Sequence, residues 1–264
     1  MNSDTEVPLP GGLAEGRVTR VGDTVRRPAG PWTPTIHALL RHLESKGFPA
    51  PRPRGFNDEG REVLTFIEGQ AGNWPWPPAL SGLQGMRQVG RLLAAYHGAV
   101  ADFTPPSPAI WRHGPDELAP GEIVLHSDFG PYNLIWRNGA LAGVIDWDLA
   151  RPGQPIHDAA FAVFQCAPLR EDVTPLGFPA PPDRRARLEA FAEAYGTLSA
   201  KDLVAAIFEV SAADIGRMER LGAQDIEPWS DWIRRGLLTR TRAEVRWLRG
   251  WARDEGFSSQ AAEI

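Results

Sequence analysis

Asn138-Gly139 constrains this chain more than any other dipeptide in it. The pair interrupts the short apolar segments between Ile123 and Ile145, and both residues accept the positive φ that a two-residue turn demands. The reading is therefore an antiparallel hairpin with Asn133 opposite Val144 and Asp146 opposite Pro131. Alternate residues of a strand share a face, which makes Asn133 and Asp146 diagonal neighbours about 7–8 Å apart at the backbone. Two oxygen ligands at that separation can share a hard cation. Asp128, on the loop just before the hairpin, can point into the same place.

A carboxylate, an amide oxygen and a second carboxylate converging at strand ends suit magnesium-assisted phosphoryl transfer. One group orients the attacking hydroxyl and two hold the metal on the phosphates. His126-Ser127-Asp128-Phe129-Gly130-Pro131-Tyr132-Asn133 with Ile145-Asp146 is the catalytic signature of protein kinases in shortened form. Together with Trp147 and with Asp158 in Ile156-His157-Asp158-Ala159-Ala160, it closely resembles the aminoglycoside phosphotransferase and choline kinase family of small-molecule kinases. The front of the chain carries the resemblance too, in Pro8 to Leu13, Val18 to Val21 and Val25 to Pro28.

The resemblance implies an α+β, two-lobed protein-kinase-like fold. Residues 1–69 would form a nucleotide-binding lobe of antiparallel sheet and helix, and 70–264 a larger, mostly helical lobe for catalysis and the acceptor. It implies ATP and Mg²⁺ as cofactors and the hydroxyl of a small molecule as acceptor. Asp128 would be the catalytic base and His126 a brace for its loop, with Asn133 and Asp146 on the metal. The turn at Gly11 and Gly12 would cover the phosphates. Thr65 to Glu68, with Phe66, Ile67 and Glu68, would offer backbone hydrogen bonds to adenine. Asp158 would fix the catalytic loop, and Asp148 could meet the acceptor.

Local patterns agree with that frame. Strand-like Arg17 to Val21 and Thr24 to Arg27 flank a turn at Gly22-Asp23. Thr33-Pro34 starts a helix bearing Ile36, Leu39, Leu40 and Leu43 at helical spacing, with Gly47 as its stop. Leu83, Met86, Leu93, Tyr96 and Val100 predict one face of a further helix. After Pro182 the pattern is helical, with Ser199 and Asp202 opening one helix and another running from about Trp229.

The phosphate grip departs from the family. Kinases pair a basic residue on the third strand with a glutamate on the next helix, but the only lysines are Lys46 and Lys201, and Ile36 falls where the glutamate belongs. Arg26 or Arg27 must serve. Arg26 is favoured because it follows Val25 directly, and Arg27 points to the other strand face. This weak grip motivates the alternative of a pseudokinase that binds a nucleotide or metabolite without turnover. A protein kinase is disfavoured, since no Ala-Pro-Glu-like segment follows Asp146.

Composition excludes other classes. A single cysteine, Cys166, forms no internal disulfide and no thiolate zinc site. A net charge of −5 with no basic lobe gives nucleic acid nothing to bind. No apolar run reaches the roughly 18 residues of a membrane span, so a cytoplasmic protein is expected. Oligomeric state is not legible.

Overall fold

In the computed structural model, the described residues are 5–9, 17–115, 117–227 and 229–257; the expected phosphate-covering turn at Gly11 and Gly12 lies outside them. The chain forms two compact units: Met1–Asn73 with Leu92–Pro155, and Trp74–Arg91 with Ile156–Ile264.

The first unit opens with an antiparallel sheet of five strands, β1 (Val7–Pro8), β2 (Thr19–Val21), β3 (Thr24–Arg27), β4 (Pro53–Phe56) and β5 (Glu62–Thr65), in the order β1-β2-β3-β5-β4. Val21 pairs with Thr24, which leaves Gly22-Asp23 as a two-residue turn, as the sequence implies. Helix α1 (Thr33–Ser45) starts at its Thr-Pro and buries Ile36, Leu39, Leu40 and Leu43 completely. At about 1.5–3 kcal/mol for each aliphatic side chain taken out of water, this stripe outweighs the weak intrinsic preferences of a 13-residue helix.

Strand β6 (Gln70–Ala71) joins β8 (Leu134–Arg137) and β9 (Ala140–Val144) in a three-stranded sheet, while β7 (Ile123–Leu125) pairs with β10 (Arg151–Gly153). The hairpin turns at Asn138 and Gly139, both at positive φ, and Arg137 and Trp136 pair with Ala140 and Leu141 as that turn requires. Beyond them the register slips. Ile135 pairs with Gly143 and Leu134 with Val144, so a bulge on β9 replaces the expected Asn133–Val144 pairing. Gly143 permits the bulge, because a Cβ there would stand 2.8 Å from the Pro49 carbonyl oxygen to which the next residue, Val144, donates its N–H at 3.0 Å.

The second unit is helical: α2 (Pro78–Ser81), α4 (Pro155–Cys166), α5 (Arg184–Tyr195), α6 (Ala200–Ala223), α7 (Trp229–Arg234) and α8 (Leu237–Asp254). Helix α3 (Leu83–Val100) contributes its first half to this unit and its second to the other. Met86, Leu93, Tyr96 and Val100 are buried along it, but Leu83 is exposed, contrary to its place in the apolar pattern. Ser199 and Asp202 form the anticipated capping box on α6. The single helix expected from Trp229 is two, broken at Gly236, whose φ is 77°. Cys166 is wholly buried, and that burial pushes its thiol up to about 12, which leaves it an inert core side chain.

Arg187, on α5, is the most deeply buried cation of this unit, at 2% exposure. Its guanidinium donates to the carbonyls of Leu80 (2.9 Å), Ser81 (2.6 Å) and Cys166 (2.8 Å). Leu80 and Ser81 close α2 and Cys166 closes α4, so one side chain satisfies carbonyls that the helices leave unpaired at their ends. Trp76 and Phe178 flank the guanidinium.

Candidate active site

Two residues in the left-handed region frame the site. Ser127 has φ 64° and Asp146 has φ 62°, a conformation that L-residues take only under compulsion and that concentrates at functional positions. Between them stands fully buried His126. Its Nδ1 accepts the backbone N–H of Asp128 at 3.2 Å, so its proton resides on Nε2, which donates to the Ile145 carbonyl at 3.1 Å. Trp147 packs on the imidazole with ring centroids 4.5 Å apart and is itself wedged against Tyr96 and Phe48. His126 is a brace, tying the Asp128 loop to the strand end that carries Asp146.

Asn133 adds a second tie. Its side-chain amide gives one proton to the Asp128 carbonyl and one to Asp128 Oδ2, both at 2.9 Å. With both protons committed to Asp128, the amide oxygen takes no part in these two bonds. The Asn133 carbonyl accepts the Ile145 N–H at 2.9 Å. The other Asp128 oxygen, Oδ1, accepts the hydroxyl of Tyr132 at 2.6 Å.

Arg27, and not Arg26, reaches the acidic groups. Arg26 points to Glu6 at 3.1 Å. Arg27 donates from Nε to Glu62 (2.5 Å), from Nη1 to Asp146 (3.1 Å) and from Nη2 to Asp148 (2.5 Å). Burial by itself would lower the Arg27 pKa, but Asp148, Glu62 and Asp146 together hold it above its ordinary value. Glu62 is 1% exposed and lies directly opposite Arg27 in the β3–β5 ladder. Burial alone would raise its carboxyl, and the His37 hydrogen bond at 2.9 Å and the Arg27 charge bring it below the usual range. Burial pushes Asp148 up, and Arg27 offsets this only in part. Asp148 also has Arg112 at 3.7 Å, whose guanidinium stacks on Trp32.

The sequence-derived residues therefore gather in two clusters, Asp128 bonded to Asn133 and Asp146 with Asp148 on the Arg27 guanidinium, joined through Ile145. Asp158 lies buried in the first turn of α4 in the other unit. There burial, with the Asp158 charge adding to it, pushes the Tyr195 phenol up to about 12. Of the residues assigned to adenine, Phe66 gives its N–H to the Asp23 carbonyl at 2.7 Å, and its ring lies under the Arg20 guanidinium, which also pairs with Glu68. Ile67 packs at the position a Gly143 Cβ would fill.

Glu62 and Tyr132 escaped sequence reasoning. Glu62 and Arg27 meet only through a pairing of strands 35 residues apart. Gly130 was the available signal for Tyr132. Its φ of −97° suits any residue, so its lack of a side chain has another cause: a Cβ would stand 2.6 Å from Cζ of the Tyr132 ring.

Residues 107–197 match the model of the phosphotransferase enzyme family. The trifolitoxin immunity protein of Rhizobium leguminosarum bv. trifolii is 39% identical over 173 residues, covering 63% of this chain and 64% of that protein. The homoserine kinase of Granulibacter bethesdensis is 27% identical over 172 residues, covering 49% and 52%. The chain thus spans less than two thirds of the first relative and about half of the second. In fold it matches a choline/ethanolamine kinase family protein from Mesorhizobium loti, with a TM-score of 0.62 at 15% identity over 94% of this chain and 92% of the other. This chain has a kinase-like fold, and the segment that bears its motifs is similar in sequence to the phosphotransferase enzyme family.

Proposed function

We propose that this protein transfers the γ-phosphoryl group of ATP to a hydroxyl of a small molecule, with residues 1–69 carrying the nucleotide and 70–264 the catalytic groups and the acceptor. One observation carries the reading: a carboxylate, Asp128, is fixed from behind by Asn133 and already accepts a hydroxyl on its outer oxygen. In the reaction the acceptor oxygen attacks the γ-phosphorus and its proton passes to Asp128. The bond from phosphorus to the β,γ-bridging oxygen breaks, and ADP leaves with the electron pair.

The donors present fit magnesium. The Asn133 amide oxygen, which neither amide bond to Asp128 uses, and the half-exposed Asp146 carboxylate are hard oxygen ligands, and this ion takes its remaining ligands from phosphate and water. Held by Asn133 and Asp146, Mg²⁺ would supply charge neutralisation on the phosphates. In the wild type, removing magnesium is expected to weaken ATP binding by more than about tenfold, the scale of one lost charge-assisted contact, and Asp146→Ala should erase that dependence. Equal calorimetric affinities with and without magnesium in the wild type would overturn the metal assignment.

The phosphate grip falls to Arg27 in this reading. Glu62 anchors its Nε, and the two terminal nitrogens form the planar fork that phosphate oxygens would take over from Asp146 and Asp148. Arg27→Lys keeps the charge that Glu62 needs but loses the fork. It is expected to weaken ATP binding by about tenfold, whereas Arg26→Ala should leave affinity nearly unchanged. A loss confined to Arg26→Ala would return the grip to Arg26.

The names of the two curated relatives suggest acceptors to test, a toxin in one case and homoserine in the other. Measuring ATP consumption against hydroxylated antibiotics, amino alcohols, sugars and nucleosides tests the whole reading. Tight MgATP binding with no turnover by any of them would favour the pseudokinase.

A further inference from the structure

We propose that Tyr132 is a built-in stand-in for the acceptor: its phenol hydroxyl occupies the catalytic carboxylate until a substrate alcohol displaces it. The inference rests on the reading of Asp128 as base. Asp128 Oδ2 faces inward to Asn133, which is buried, and is committed there at 2.9 Å. Oδ1 is the oxygen on the solvent side, and it accepts the hydroxyl of a tyrosine that is 36% exposed. The group resting on the base is thus of the same kind as the group to be activated, a neutral O–H donor approaching from the solvent side. A second feature holds it there. The Tyr132 ring lies on the bare backbone of Gly130, where a Cβ would come within 2.6 Å of Cζ and 2.9 Å of the hydroxyl oxygen, although the backbone of Gly130 is of a kind any residue adopts. The glycine reserves the tyrosine's seat.

A capped base protects ATP from water. With no acceptor present, a water molecule on Oδ1 could attack the γ-phosphorus, pass its proton to Asp128 and release ADP and phosphate. The phenol holds that place on Oδ1.

Two variants remove the cap in different ways. Tyr132→Phe keeps the ring and deletes the hydroxyl; Gly130→Ala keeps the hydroxyl and pushes it off Asp128. Each is expected to raise acceptor-independent phosphate release from MgATP by about tenfold, the weight of one charge-assisted hydrogen bond, with MgATP affinity unchanged by calorimetry. Adding Asp128→Asn to either should abolish the excess. Unchanged or reduced hydrolysis in both variants, with ATP binding intact, would overturn the cap and make Tyr132 a holder of Asp128. Excess hydrolysis that survives Asp128→Asn would overturn the base reading, and with it the cap. A wild type that binds no MgATP would overturn the phosphotransferase reading itself.

Discussion

Asp128→Asn is expected to lower turnover by about 10²–10⁴-fold, the usual contribution of a positioned general base, while leaving MgATP affinity within about twofold, since the change removes an interaction of the transition state. The substitution is gentle on the structure. An asparagine at 128 can turn its carbonyl toward the Asn133 amide and its own amide toward Tyr132, whose hydroxyl is able to accept as well as donate. Both ties to the loop then survive. The donors assigned to the metal, the Asn133 oxygen and Asp146, are untouched, and so is Arg27. What goes is the capacity to take a proton from the attacking hydroxyl. Steady-state ATP turnover with the acceptor that screening identifies, paired with calorimetry of nucleotide binding, checks the result. Near-wild-type turnover would remove Asp128 from the chemistry.

Arg187→Ala is expected to cost about 3–5 kcal/mol of unfolding free energy, the range seen when one partner is taken from a buried charged pair. Burial pushes the Arg187 guanidinium down to about 10, which still leaves it charged at neutral pH. Its counterpart is a set of carbonyls at the negative ends of α2 and α4, and not a carboxylate. Alanine strands those three oxygens away from water and opens a cavity beside Trp76 and Phe178, two losses that add. Arg187→Lys should recover part of the stability, because an ammonium reaches some of the carbonyls and lacks the fork that reaches all of them. Denaturant unfolding of the three proteins decides the matter. Equal or greater stability for the alanine variant would mean that the desolvation of the guanidinium outweighs everything it holds.

The legible parts of this molecule are those written in contiguous residues. The run from His126 to Asn133 and the pair Ile145-Asp146 carry the family resemblance without any fold, and Thr33-Pro34 and Ser199 with Asp202 announce helix starts by local hydrogen-bonding rules. Register was harder. Asn138-Gly139 fixes the turn and the first two pairs, but the bulge on β9 depends on Gly143 passing close to Pro49, nearly a hundred residues away in the chain. The position after Val25 favours Arg26, but a four-residue strand of intermediate burial shows no alternation to support that choice, and the carboxylate that Arg27 meets, Glu62, belongs to another strand. Ile36, which stands where kinases place the helix glutamate, is core. The adjacent His37 makes the connection instead, through Glu62. Neither residue type at that spacing signals the arrangement, since it exists only once β3 and β5 are side by side.

The backbone of Ile145 is held at both ends, its N–H by the Asn133 carbonyl and its oxygen by the His126 side chain. On Ile145 both attachments use main-chain atoms, to which the identity of its side chain is invisible. Replacing Ile145 with another aliphatic residue would leave Asp128 and Asp146 at the same separation. Deleting it would not, since Asp146 would then offer its own peptide to His126 and draw its side chain out of place. The hairpin tip at Asn138-Gly139 is the opposite case, open to insertions that never reach the site but intolerant of residues that refuse positive φ. Along this one hairpin, then, the message is carried by spacing at one end and by spelling at the other.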